Sequence, residues 1–214
     1  MRYIRVQLGE KNDYRKNITI TFLIIFIISI IFAFMIERKT MITFKTPENQ
    51  DDIKIDANQR VTFYLVQLGY FNEKKNAENL VRELNAKNVT AAYVNINGKY
   101  HVISWIDYIK YDIKIYENYL INLNLSYIIK NVELSINNKE YIELTKAVIK
   151  QISLLKGRIQ QEQLSIDNIS NTKDERIKKF YDEYLLFLKN YKKGDINSCL
   201  RNLANEIFIL KNYH

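Results

Sequence analysis

The stretch from Ile18 to Ile36, ITITFLIIFIISIIFAFMI, carries no charged side chain in 19 residues, and this constrains the chain more than any other feature. A helix rises about 1.5 Å per residue, so the run spans roughly 28 Å, close to the hydrocarbon thickness of a bilayer. Arg15 and Lys16 bound it on one side, and Glu37, Arg38 and Lys39 on the other. A cleaved export signal would have a shorter apolar core, about 7–15 residues, with small residues at the cut. This run is longer and ends Phe34-Met35-Ile36-Glu37, so it reads as an uncleaved transmembrane helix over 18–36. Arg2, Arg5, Lys11, Arg15 and Lys16 precede it, against Arg38, Lys39 and Lys45 just after it. That excess places residues 1–17 in the cytoplasm as a tail and the bulk of the chain outside a single-pass cell-membrane anchor.

Residues 37–60, with Pro47, Glu48, Asn49, Gln50, Asp51 and Asp52, read as a short polar linker. The run 61–71, VTFYLVQLGYF, is β-branched and aromatic, as a strand requires. Asn72 is placed to cap a helix starting just after it. Ala77, Leu80, Val81 and Leu84 recur at helical spacing. Thr90 to Ile96 and Tyr100 to Ile106 read as strands joined by Asn97-Gly98, a strong hairpin turn signal. Ile113, Tyr116, Leu120 and Leu123 mark a second helix, and Tyr127 to Leu134 a fourth strand. The order β-α-β-β-α-β over 61–136 predicts an α+β, ferredoxin- or RNP-like domain. It would have a four-stranded antiparallel sheet, both helices on one face, and the other face open to a ligand. Tyr64-Leu65-Val66 and Tyr100-His101-Val102 open two related halves.

Residues 137–214 carry no strand signal. Tyr141, Leu144, Val148, Ile152, Leu155 and Ile159 form one apolar helical seam. Thr172 with Glu175 has the spacing of a capping box. Ile177, Phe180, Tyr184, Leu188 and Tyr191 follow in a second helix. Gly194 and Asp195 read as its C-cap and the next N-cap, before a third seam of Ile196, Leu200, Leu203, Ile207 and Leu210. Three such helices make a C-terminal bundle, or a helical extension packed on the sheet domain.

Residues 64–71, Tyr-Leu-Val-Gln-Leu-Gly-Tyr-Phe, followed by Ala77-Glu78-Asn79-Leu80 and Glu83-Leu84, resemble the opening of a SPOR domain. The resemblance covers roughly 61–136. It implies binding to peptidoglycan, with a preference for glycan strands stripped of stem peptides. It also implies a role in localisation at a division septum or in sporulation and engulfment wall remodelling. A clostridial-type stage II sporulation protein would share the plan of N-terminal anchor and exported SPOR domain. Tyr70 stands where the family usually has Ala or Ser, where it would either narrow a glycan groove or supply a stacking ring. Ser104-Trp105 stands where the second repeat usually has Gly-Pro.

Strand alternation puts Tyr64, Val66 and Leu68 on one face and Phe63, Leu65 and Gln67 on the other. An amide left without a partner under the helices costs about 1–3 kcal/mol, which assigns Gln67, Leu65 and Phe63 to the open face. The same alternation puts Tyr100, Val102 and Ser104 there on the third strand. The candidate glycan-binding residues are therefore Gln67, an amide that donates and accepts; Tyr70, Tyr100 and Trp105, rings with polar tips; and Leu65. Trp105 and Tyr100 suit the core as well as the surface. His101, Asp107 and Asp112 read as structural.

Several function classes are disfavoured. The formal charge is +8, yet no dense basic block marks a nucleic-acid surface. Cys199 is the single cysteine, and His101 and His214 are the only histidines, so no metal set is expected. No catalytic constellation or Gly-rich phosphate loop appears, and no cofactor is expected. The expected partners are glycan strands and the membrane, with divisome or sporulation proteins on the C-terminal helices. In the alternative, those helices make the chain a protein-interaction scaffold and its sheet domain a degenerate spacer.

Overall fold

The computed structural model describes residues 55, 59–137, 139–157 and 174–212. The expected transmembrane segment 18–36, the tail 1–17 and nearly all of the linker lie outside the described residues. Among the described residues no helix is long and apolar enough to cross a membrane.

The elements run β1 (Arg60–Phe71), α1 (Lys74–Ala86), β2 (Ala92–Ile96), β3 (Lys99–Asp107), α2 (Lys110–Asn122), β4 (Ile128–Ser135), α3 (Lys139–Leu155), α4 (Glu175–Lys192) and α5 (Ile196–Lys211). The strands form one antiparallel sheet in the order β2-β3-β1-β4. The α+β class and the β-α-β-β-α-β order expected from periodicity are both present. Asn97 (φ 52°) and Gly98 (φ 77°) make the β2–β3 turn, the pair of left-handed residues that matches the twist of a two-residue hairpin.

Helix ends follow local chemistry. After α1, α2 and α4 a residue in the left-handed region stops the helix: Asn88 (φ 58°), Asn124 (φ 53°) and the expected Gly194 (φ 72°). The next N–H returns to the last turn, from Val89 to Leu84, Leu125 to Leu120 and Asp195 to Asn190. Asp195 caps α5 as expected, its carboxylate accepting from the Ser198 N–H. Two expected caps differ. Asn72 does not cap α1; its side chain accepts from Lys99 Nζ, and Glu73 holds the N-cap position without a side-chain bond. The cap of α4 is Asp174, nearer the helix than Thr172, and it accepts from the Arg176 N–H.

Both faces of the sheet are covered. On one face α1 and α2 enclose Val66, Ala77, Leu84, Val102, Ile113 and Leu120. Gly69 lies here, where an added Cβ would meet Leu80 Cδ2 of α1 and the Phe71 ring, each at 2.6 Å, so a larger residue must displace those side chains. On the other face α5 crosses β2, β3 and β4, and α4 packs along α5. Phe63, Leu65, Val94, Ile103, Val132 and Leu134 share one apolar cluster there with residues of α3, α4 and α5. The open sheet face expected from the sequence is therefore a closed one. Its side chains are apolar, and the amphipathic seams of the C-terminal helices bury them.

Candidate functional site

The side chains of β1 and β3 are sorted by two adjacent irregularities in their pairing. Val66 pairs with Trp105, Gln67 with Ile103 and Gly69 with Val102, which leaves Ser104 as an extra residue on β3 and Leu68 on β1. Each extra residue reverses the alternation beyond it. Beyond them Tyr70 pairs with His101, and His101 pairs with Val94 of β2. Gln67, Ile103 and His101 therefore share the face toward the C-terminal helices. Tyr100 pairs with Phe71 and Asn95 and lies on the opposite face, with Val102 and Trp105. This corrects the expected grouping of Tyr100, Val102 and Ser104 with Gln67, because unbroken alternation does not survive the bulges.

The five candidate residues thus fall into two sets. Trp105 stacks on Tyr116 of α2, with ring centroids 5.3 Å apart and planes at 18°. Tyr100 meets Tyr93 edge-on at 6.1 Å. Both belong to the α1/α2 side. Leu65 is 1% exposed and lies in the apolar cluster under the C-terminal helices, out of reach of a ligand. Gln67 and Tyr70 come together at a corner of the sheet beside the C-terminal turn of α5.

At this corner the Gln67 amide, 7% exposed, lies with Oε1 2.7 Å from His101 Nδ1. The tautomer with its proton on Nδ1 donates to that oxygen and leaves Nε2 as an acceptor. Gln67 is thus satisfied by a partner within the protein, not by solvent. Tyr70 is 53% exposed and its ring meets the His101 ring edge-on, with centroids 4.8 Å apart. Lys130 of β4 brings its ammonium to 3.4 Å from His101 Nδ1. Burial, and then the Lys130 charge, push His101 down to about 4, so the ring is neutral at physiological pH. Burial, and then Lys211 at the end of α5, lower the pKa of Lys130 itself. Ile128, paired with Gln67 on the adjoining strand, is exposed.

The corner therefore offers an exposed phenol, a positive charge and an apolar side chain, set over an imidazole that is itself only 5% exposed. Such a set can stack on the C–H face of a sugar and hydrogen-bond its hydroxyl or acetamido groups. His101 and Lys130 were missed as members of this set. Lys130 of β4 pairs with Leu65 of β1, so correct strand register would have found it; His101 needed the bulge to be seen.

A second polar feature joins the C-terminal helices to the sheet domain. Lys156, just after α3, is fully buried against Asp107, Nζ to Oδ2 2.8 Å, and it also reaches Asp112 of α2. Asp107 Oδ1 accepts from the N–H groups of Tyr108 and Ile109 as well, as an Asp leading into a helix does. Burial pushes the Asp107 carboxyl up, against the pull of Lys156. Among the described residues no group of His, Cys, Asp and Glu could hold a metal ion.

Comparison with known proteins bears on the sheet domain. No curated protein matches this chain. Among solved structures it is similar to the solution structure of the peptidoglycan binding domain of the B. subtilis cell wall lytic enzyme CwlC, at 23% identity and a TM-score of 0.31. That likeness covers 37% of this chain and 98% of that one. The family model described as SPOR domain matches residues 61–104, from the second residue of β1 to the extra residue of β3, so over that span the chain carries a SPOR domain.

Proposed function

We propose that this chain binds the glycan strands of peptidoglycan through the sheet corner built by Tyr70, His101 and Lys130, with Gln67 positioning the imidazole. The observation that carries this reading is the half-exposed Tyr70 ring set edge-on to a neutral His101 within the SPOR-matched segment. The protein has no catalytic role in this reading. It is held in the cell membrane by residues 18–36, with its N-terminus cytoplasmic and its bulk extracytoplasmic. It localises to a site of wall remodelling, at a septum or during sporulation and engulfment, as a clostridial-type stage II protein would.

Sedimentation of the full chain in mild detergent with purified sacculi tests this, before and after an amidase removes the stem peptides. Binding should rise on stripping and fall about tenfold in Tyr70→Ala, a loss of roughly 1.4 kcal/mol. Absence of binding to both preparations would reject glycan recognition.

A second reading rests on the closed sheet face: the C-terminal helices act as a scaffold for a divisome or sporulation protein. Leu185 and Leu186, exposed side by side on α4, favour it. Under this reading Leu185→Asp abolishes localisation in cells and Tyr70→Ala does not.

A further inference from the structure

A second polar concavity lies across the C-terminal turn of α5 from the corner. It is a cavity of about 400 Å³ between the β2–β3 hairpin, α4 and α5. Its apolar lining is Ile96, Phe208 and Ile209, all half-buried. Amides line it from two directions: Asn95 and Asn97 on the hairpin, Asn205 and Asn212 on α5. The α4 side adds the carboxylates of Asp182 and Glu183 and the ammonium of Lys179.

The carboxylate at this site is pre-set by its neighbours. Glu183 Oε1 accepts from Asn205 Nδ2 at 3.0 Å, and its Oε2 accepts from Asn202 Nδ2 at 2.5 Å. Asn202, 3% exposed, is held in turn by Asn190 Nδ2 at 2.9 Å. A ligand therefore meets a fixed acceptor and does not have to order one, which lowers the entropic cost of binding.

We infer that this cavity is a second saccharide subsite, taking a neutral N-acetylated sugar. The inference rests on the glycan reading for its ligand class, not for its location. Four amides that both donate and accept match a ligand rich in hydroxyl and acetamido groups. Two carboxylates against one ammonium repel phosphate chains and other polyanions. The apolar lining suits the C–H face of a pyranose, and the volume is that of a small-ligand site. The place of the cavity also fits an extended ligand. His101 of the corner pairs with Val94 of β2, one strand from the hairpin residues that line the cavity. Tyr70, on β1, is two strands from β2, about 10 Å by strand spacing, so one glycan strand can reach both corner and cavity across one helical turn.

The test is isothermal titration of the full chain in detergent with a soluble trimer of N-acetylglucosamine, alongside sacculus sedimentation. Asp182 and Asn212 are exposed, so Asp182→Ala/Asn212→Ala removes ligand contacts while leaving the fold intact, as circular dichroism would verify. The inference expects the trimer to bind and the double variant to weaken it at least tenfold, with the Glu183 network still present. Trimer binding unchanged by the double variant overturns it. So does failure to bind the trimer when sacculi still sediment, an outcome that leaves the corner reading in place. Trimer binding lost in the double variant, without any sedimentation of sacculi, supports the cavity and rejects the corner.

Discussion

The face of the sheet under α1 and α2 is closed by helices that are its neighbours in sequence, while the face under α5 is closed by a helix that begins some sixty residues after β4 ends. On the first face, fit depends on small residues and close approach: Gly69 against Leu80, and Ala77 fully buried. On the second, Phe63, Leu65, Ile103, Val132 and Leu134 meet Leu203, Ile207 and Leu210 in one continuous cluster. A sheet used as a binding platform would leave such a face to its ligand. Here the chain fills it, and the two ligand sites proposed above, the corner around Tyr70 and the cavity beyond it, lie at its margin. A SPOR-matched segment can thus keep its strand order while its available surface shifts to the margin of the sheet.

Four substitutions test this contrast. Phe63→Ala should cost the most, about 3–5 kcal/mol, because it opens a void in the shared cluster with partners on three helices. Urea denaturation should show one cooperative transition moved to lower midpoint. Two separated transitions would mean the C-terminal helices are a detachable layer. Lys156→Ala tests the joint between the layers. It strands two carboxylates in the interior, and a loss of about 3–5 kcal/mol is expected. Lys156→Met in an Asp107→Asn/Asp112→Asn background should recover much of it, and a Lys156→Ala protein of unchanged stability would show the pair to be solvated. Gly69→Ala probes the local face. Its methyl must displace Leu80, at a cost of about 1–3 kcal/mol by overpacking, read from the thermal midpoint.

The smallest effect should be the pH dependence of the corner. Folded His101 titrates at about 4, below the free value of 6.5, so the unfolded chain binds the extra proton between those values. The contribution is complete above about pH 6.5 and is lost as the pH falls toward 4. Glu206, buried beneath α3 with Gln151 Nε2 donating to it at 2.8 Å, behaves in the opposite sense. Burial raises its pKa, so stability falls as the pH rises past its ordinary value. His101→Gln should flatten the acid side of the stability profile and leave the neutral side alone; an unchanged acid limb would mean that His101 is not what limits the corner there.

Much of this architecture was legible because periodicity is a local signal. A β-branched and aromatic run marked β1, further short runs read as β2, β3 and β4, the 3–4 spacing marked all five helices, and Asn97-Gly98 marked its turn. Faces were harder to assign. Ser104 and Leu68, the unpaired residues of β3 and β1, reverse the side-chain direction; Gly69 beside Leu68 marks a bulge on β1, but nothing marks the one at Ser104, and so Tyr100 was placed with Gln67 when His101 belongs there. The partner of an apolar seam was harder still. Leu200, Leu203, Ile207 and Leu210 announce that one side of α5 is buried, but the same spacing serves a bundle or a sheet. Gln67 illustrates the limit of a solvation argument: an amide did need a partner, and the partner was a histidine inside the protein.

The long delay between β4 and α5 has a consequence in time. Ribosomes add about 5–20 residues per second, so the 76 residues from Ser135 to Lys211 take roughly 4–15 seconds to make. Throughout that interval all four strands exist while Phe63, Leu65, Val132 and Leu134 lack the part of their cover that α5 supplies. The nascent chain must be kept from sticking to its neighbours until α5 arrives, and a ribosome stalled before residue 196 would release a product prone to aggregate.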